Sequence, residues 1–190
     1  MRVIGGSHKG RTLKGPSTQD VRPTSDRLRE SLFNILAHGY GDPLSDARVI
    51  DLFAGTGALG IEALSRGAHF VLFVDDGTEA RSLIRANVEA LGLGGVTRIY
   101  RRDATQLGPM PPQNPFTLAF LDPPYGKKLV ERGLASLQDG GWLADGALTI
   151  IEEDARAQIE LPEGFEQIEQ RTYGDTQIMI VRHILLHASD

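Results

Sequence analysis

Two hydrophobic rhythms run along this chain. Short, solid apolar stretches recur near 48–53, 69–75, 96–101 and 116–121, and again near 147–153, 165–173 and 176–184. Stretches of that length predict strands, the solid ones covered on both faces. Between them, near 58–66, 78–91 and 127–138, apolar residues return every three or four positions, the spacing of amphipathic helices. Strands alternating with helices in this way predict an α/β fold with a doubly wound, mainly parallel sheet. Gly174-Asp175, between the last two apolar stretches, reads as a hairpin turn, so the last strand should run antiparallel.

The first 36 residues follow a different plan. Arg2-Val3-Ile4, a glycine-rich turn and Arg11-Thr12-Leu13 read as a short hairpin over 2–14. A Pro- and Ser-containing loop follows over 15–23. Thr24 or Ser25 then caps a helix through Leu36, with Leu28, Leu32, Ile35 and Leu36 on its apolar stripe. The chain therefore divides into an N-terminal extension, 1–36, and a main domain, 37–190.

A length of 190 residues is enough for one α/β domain with its own core. The absence of cysteine excludes a disulfide framework and a thiolate zinc site, and no metal is expected. The start carries no charged-then-apolar signal, and no apolar run approaches a membrane span, so a cytoplasmic protein with no membrane partner is expected. The formal charge of −5 hides an asymmetry. Residues 1–36 hold seven Lys/Arg against three Asp/Glu, a net +4, which leaves −9 for the rest. A basic arm on an acidic body is the pattern to weigh for nucleic-acid contact.

Two motifs carry chemistry. In the first, the strand Val49-Ile50-Asp51-Leu52-Phe53 feeds Ala54-Gly55-Thr56-Gly57-Ala58-Leu59-Gly60 and then a helix. Gly55, Gly57 and Gly60 occupy the G-x-G-x-x-G positions, where backbone approaches a ligand and the helix starts without a side-chain clash. Asp75 follows the next strand, twenty residues beyond Gly55, at the spacing of a carboxylate that binds ribose hydroxyls. Asp76 competes for that role. Strand, glycine loop, helix, strand and acid in this order point to a nucleoside-containing cofactor.

The second motif is Asp122-Pro123-Pro124-Tyr125, directly after the apolar Phe116–Leu121. Consecutive prolines lock φ and supply no N–H, so this backbone is stiff and cannot continue a sheet. It holds the Asp122 carboxylate and the Pro123 carbonyl as fixed acceptors beside a flat ring, which suits a planar exocyclic amine on a base. Taken alone, the tetrapeptide also reads as a Pro-rich turn with a surface tyrosine.

Together the glycine loop and this tetrapeptide resemble the S-adenosylmethionine-dependent amino-methyltransferases. Further stretches sharpen the match: Arg2-Val3-Ile4-Gly5-Gly6, Lys9-Gly10-Arg11, Arg22-Pro23-Thr24-Ser25-Asp26-Arg27-Leu28-Arg29-Glu30-Ser31-Leu32-Phe33-Asn34, Gly140-Gly141-Trp142-Leu143 and Tyr173-Gly174-Asp175-Thr176. From Arg2 to about Arg182 the chain resembles the RsmD family of 16S rRNA guanine-N2 methyltransferases. The resemblance implies a Rossmann-like class I methyltransferase sheet and S-adenosylmethionine as cofactor. It also implies guanine 966 of the small-subunit rRNA as target, with 16S rRNA, the small ribosomal subunit or its assembly intermediate as partner; the sequence does not fix the oligomeric state, and a monomer is favoured. Asp51, Ala54, Gly55, Thr56 and Gly57 would face the cofactor's methionine end, with Asp51 at its amino group or else capping the loop. Asp75 would take the ribose, where the family more often has glutamate. Asp103 and Ala104 would meet the adenine. Asp122, Pro123, Pro124 and Tyr125 would hold the guanine, and Lys9, Arg11, Arg22 and Arg27 would meet phosphates. Two other readings share parts of this pattern: an N6-adenine DNA methyltransferase, which normally needs an added target-recognition region, and a non-catalytic RNA-binding assembly module.

Overall fold

The computed structural model describes residues 1–17 and 25–186. The strands are β1 Arg48–Leu52, β2 Phe70–Val74, β3 Thr97–Tyr100, β4 Phe116–Leu121, β5 Leu143–Asp154, β6 Phe165–Tyr173 and β7 Thr176–His183. They form one sheet in the order β3-β2-β1-β4-β5-β7-β6. β1 to β5 pair in parallel, and β7 lies antiparallel between β5 and β6. The expected doubly wound sheet with its antiparallel last strand is what the chain adopts. The helices are α1 Asp26–Gly39, α2 Ala58–Ser65, α3 Thr78–Ala90 and α4 Leu129–Gly140. No helix joins β5 to β6; residues 155–164 make that crossing in turns and irregular backbone.

Because successive strand residues point to opposite faces, the sheet sorts its side chains into two cores. Val49, Val71, Phe73, Leu118, Phe120, Ile150, Ile178 and Ile180 pack with residues of α1, α2, α3 and the N-terminal hairpin. Ile50, Leu72, Ala119, Leu121, Ile151 and Met179 pack with α4 and with Trp142, whose indole N–H donates to the Gly108 carbonyl at 2.8 Å. Strand addition reverses direction between β2 and β4 on either side of β1, so the crevice at the carboxyl ends of these strands is the place for a ligand.

The N-terminal segment is stitched into this core. Arg2 and Thr12 form an antiparallel bridge, and Gly6–His8 is a single 3-10 turn. The Glu62 carboxylate, fully buried on α2, accepts the N–H groups of Ile4 and Gly5, each at 2.9 Å, and Arg66 Nε at 2.8 Å. Residues 11–17 then run along α3. Arg11 donates to the Ala90 carbonyl at 3.0 Å, and the Asn87 side-chain amide pairs with both backbone groups of Lys14. Ser17 reaches Glu79, near the start of α3. Ser25, not the alternative Thr24 outside the described residues, caps α1 by accepting Leu28 N–H at 3.1 Å. The division drawn after residue 36 falls inside α1, whose Leu32, Phe33 and Leu36 share one core with the sheet and with Val3 and Leu13.

Arg29 is also fully buried, donates to the Arg2 carbonyl at 2.9 Å, and stands 3.8 Å from Glu62. Removing the Glu62 charge leaves the buried Arg29 guanidinium to its pair with Asp26, a partly exposed carboxylate, takes the buried counter-charge from Arg66, and leaves an N–H of the hairpin without its acceptor. Glu62→Gln should therefore lower unfolding stability by about 3–5 kcal/mol, the usual cost of breaking a buried pair from one side. It should also speed amide exchange at Ile4 and Gly5 first. An unchanged denaturation midpoint together with unchanged exchange would show that the hairpin is held by something else.

Candidate active site

Four acids stand at or just past the carboxyl ends of the parallel strands, each in a different environment. Asp51 on β1 is 1 % exposed and accepts Gly60 N–H at 3.1 Å. Gly60 is the third residue of α2, whose N-cap, Gly57, has no side chain to offer, so Asp51 caps the helix from beneath. Burial pushes its carboxyl well above the ordinary carboxylate range, against the pull of the Gly60 bond and with a push from Asp75. Of the two roles read for Asp51, the hydrogen bond shows the loop-holding one. Gly60 itself packs against the sheet: a Cβ there would lie 2.5 Å from the Phe73 ring.

Asp75 is the half-buried acid after β2, while Asp76 is exposed. One Asp75 oxygen accepts Gly55 N–H at 3.0 Å, and the other accepts Gly77 N–H at 2.8 Å. The carboxylate therefore ties the crest of the glycine loop to the start of α3. Each oxygen keeps a lone pair for a further donor. At Gly55, where φ is +58°, a Cβ would meet nothing closer than the Phe53 carbonyl oxygen at 3.9 Å. The crest thus faces open space where any other residue would place a side chain. Ala54 is buried, and its carbonyl accepts Gly57 N–H at 2.8 Å, closing the loop. The Thr56 carbonyl accepts from Asn87 at 3.0 Å, so the same amide that grips Lys14 also steadies the loop.

Asp103, just past β3, is exposed, with one oxygen bonded to Thr105 N–H at 2.8 Å and to its hydroxyl at 2.7 Å. The Thr105 hydroxyl, then its N–H, hold this carboxyl below its ordinary value. Ala104 beside it is buried.

The Asp122-Pro123-Pro124-Tyr125 segment leaves β4 next to β1, which puts it beside the glycine loop. Pro123 is buried; Pro124 is exposed, and Tyr125 is 41 % exposed. The Tyr125 hydroxyl is hydrogen-bonded to Thr176 Oγ1 at 2.9 Å, at the start of β7. Burial raises the tyrosine pKa, the Thr176 bond lowers it, and Glu152, Asp122 and Glu153 add smaller upward pushes, so the phenol is protonated near neutral pH. Glu153, buried at the end of β5, accepts Gly126 N–H and so fixes the far end of the segment. Neither Thr176 nor Glu153 was assigned to the site from sequence. The signal was present: Glu152 and Glu153 end an apolar strand just as Asp51, Asp75 and Asp122 do.

Of the basic residues expected to meet RNA, three lie among the described residues. Arg22 lies outside the described residues, and Arg27 is exposed on the first turn of α1. Lys9 and Arg11 follow the hairpin turn, which bonds to Ser65 at the end of α2 and to Ala90 at the end of α3. Both helices start at the carboxyl ends of the strands and finish at the opposite edge of the sheet. With α2 about 12 Å long over its 8 residues and α3 about 20 Å over its 13, the turn carrying Lys9 and Arg11 stands roughly 12–20 Å below the crevice. Helix-end carbonyls attract cations, so charge composition alone did not distinguish a helix-capping arm from an RNA-binding one.

Among the described residues, no group of three His, Cys, Asp or Glu is placed to hold a metal, and no helix is long and apolar enough to cross a membrane.

Residues 1–182 match the family model described as conserved hypothetical protein 95. The chain is 40 % identical over 159 residues to ribosomal RNA small subunit methyltransferase D of Escherichia coli strain K12, covering 81 % of this chain and 75 % of that one. It is 30 % identical over 176 residues to the protein of the same name from Haemophilus influenzae, covering 92 % and 89 %. The solved structure of yhhF from Escherichia coli superposes with a TM-score of 0.83 at 31 % identity, over 98 % of this chain and 99 % of that one. Sheet order, glycine loop, family model and relatives agree: the chain belongs to the conserved hypothetical protein 95 family, the RsmD family of methyltransferases.

Proposed function

We propose that this protein transfers a methyl group from S-adenosylmethionine to the exocyclic N2 amine of a guanine in 16S rRNA, guanine 966, during maturation of the small ribosomal subunit in the cytoplasm. The observation that carries this reading is the placement of Asp122-Pro123-Pro124-Tyr125: stiff, anchored at Tyr125 and Gly126, and adjacent to the glycine loop. The relatives named as small-subunit rRNA methyltransferases support the substrate.

The residues present fit the cofactor. The open crest at Gly55 leaves room for its methionine end, over Ala54, Thr56 and Gly57. Asp75, with a lone pair left on each oxygen, suits vicinal ribose hydroxyls. Exposed Asp103 suits an adenine amino group, with the N–H of Ala104 beside it. Asp51 supports this arrangement from below by fixing the start of α2. Bound there, S-adenosylmethionine supplies a methyl group made electrophilic by its sulfonium.

The rest is done by the protein. The guanine amino lone pair is delocalised into the ring, which makes it a weak nucleophile. The Asp122 carboxylate and Pro123 carbonyl accept its two N–H bonds, aim the lone pair and favour pyramidal nitrogen. As nitrogen takes up the methyl group in exchange for the methyl–sulfur bond, positive charge would develop on it, and the nearby Asp122 carboxylate would stabilise that charge. The charged amine then sheds one proton to solvent, so Asp122 need not be a strong base. The Tyr125 ring stacks on the base, a contact of roughly 1–3 kcal/mol in comparable sites. An amine on a base edge is reachable only when the base is unpaired or flipped out.

The direct test is incubation with S-adenosylmethionine labelled in the methyl group and 16S rRNA, small ribosomal subunits or DNA, followed by nucleoside analysis. Label in N2-methylguanosine from the small-subunit RNA is expected; label in N6-methyladenosine of DNA would overturn the proposal. Asp122→Ala should reduce kcat by at least about 10²-fold, as losing one charge-stabilising group typically does, with cofactor Kd changed only a few-fold. Unchanged kcat would remove Asp122 from the chemistry. Asp75→Ala should raise the cofactor Kd by roughly 10- to 150-fold, the equivalent of about 1.5–3 kcal/mol for hydrogen bonds to a charged group. Calorimetry finding that loss in Asp76→Ala but not in Asp75→Ala would shift the ribose site by one residue.

A further inference from the structure

Beside the candidate active site, a groove of about 740 Å³ runs between α1 and the edge strand β6. Ser31, Asn34 and His38 line it from the helix, with Tyr40 at its lower end, and Arg171 and Tyr173 line it from the strand. Its upper end meets the catalytic segment by register. Tyr173 is the cross-strand partner of Thr176, and directly paired residues project from the same face of a sheet. Thr176 Oγ1 is the atom hydrogen-bonded to the Tyr125 hydroxyl at 2.9 Å. Tyr125, Thr176, Tyr173 and Arg171 thus form one continuous wall, leading from the stacking ring of the site into the groove.

The chemistry of that wall is selective. Tyr125 is exposed, and Tyr173 and Tyr40 are half-buried against the core with part of each ring open to the groove. Aromatic rings interleaved with planar guanidinium, imidazole and amide groups are what splayed single-stranded RNA stacks on and bonds to. The groove's acidic group is already engaged: the Glu169 carboxylate accepts from the Tyr40 hydroxyl and, at 2.6 Å, from Arg171 Nε. Those contacts hold its pKa below the ordinary value, the Tyr40 bond most strongly. Arg182, exposed on β7, adds positive potential that Tyr40 feels. The groove is therefore lined by aromatic, amide and imidazole groups around one mutually neutralising Glu169–Arg171 pair, so it carries no unbalanced negative charge of its own on a body whose net charge is negative. From Glu169 to Tyr173 the strand extends about 13 Å at ~3.3 Å per residue. That is room for the two or three bases that compact single-strand readers stack.

We propose that this groove is the track for the single-stranded RNA flanking the target base, with Tyr173 as the stacking platform next to Tyr125. The proposal rests on the rRNA-methylation reading for its substrate. It moves the RNA-binding surface from the Lys9–Arg11 turn, at the far edge of the sheet, to the face continuous with the site.

The experiment compares the full-length chain with Tyr173→Ala, with Asn34→Glu/His38→Glu, and with Lys9→Gln/Arg11→Gln as contrast. Affinity is measured by filter binding to protein-free 16S rRNA and to small ribosomal subunits, beside methyl transfer, cofactor Kd and thermal unfolding. Asn34 and His38 are exposed on α1, so this pair, which introduces two negative charges, tests the groove without opening the core. Expected are a rise in RNA Kd of about tenfold or more in each groove variant, the scale of a lost base stack, and an unchanged cofactor Kd. The contrast variant should stay within about twofold. RNA affinity unchanged in both groove variants, or lost only in the contrast variant, overturns the track, as does failure of the unaltered chain to bind either RNA. Weakened RNA binding in the groove variants, with no methyl transfer by the unaltered chain, keeps the track and overturns the rRNA-methylation reading instead.

Discussion

Everything the site does depends on a short piece of backbone that cannot move. After β4, two prolines fix φ and remove two N–H donors, so the chain must leave the sheet in one direction. On one side Leu121 is fully buried and paired with β1 and β5; on the other, Gly126 is held by Glu153 and Tyr125 by Thr176. In the proposed reaction a weak amine nucleophile would gain from this, because orientation is set before the substrate arrives and no reorganisation is needed as charge develops on nitrogen. The two anchors come from β5 and β7, so the antiparallel end of the sheet helps to build the candidate active site.

The same economy governs the cofactor side. Three carboxylates, Asp51, Asp75 and Glu62, spend their oxygens on backbone N–H groups of the glycine loop, of helix starts and of the N-terminal hairpin. A loop rich in glycine has little side chain with which to hold itself. Its conformation is imposed from below by Asp51, from the side by Asp75, and through the Thr56 carbonyl by Asn87. Asn87 also grips Lys14, which ties the N-terminal segment to the glycine loop proposed to hold the cofactor.

Much of this was legible in the sequence, because the fold follows local rhythm. The seven strands and the helices fell within a few residues of their predicted spans, and strand order follows from how such units wind. Asp75 and the Asp122 tetrapeptide were readable because spacing and stiffness are local properties. What stayed hidden depends on pairs far apart in the chain. Glu62 meets Ile4 across 58 residues, and Tyr125 meets Thr176 across 51, with no local pattern to mark either. The basic turn shows the same limit: that Arg11 donates to the Ala90 carbonyl at the end of α3 depends on a pairing across 79 residues that no local pattern marks.

The most direct measurement is an experimental structure of the protein with S-adenosylhomocysteine and a guanosine-containing RNA fragment from the small subunit. The account predicts ribose hydroxyls on Asp75, the amino-acid end over Gly55 to Gly57, and the thioether sulfur facing a guanine whose N2 sits between the Asp122 carboxylate and the Pro123 carbonyl. It also predicts that the Tyr125–Thr176 and Glu153–Gly126 contacts persist, with the catalytic backbone unmoved. A guanine bound away from Asp122, or a 122–126 segment that refolds to receive it, would contradict the claim that the site is built in advance.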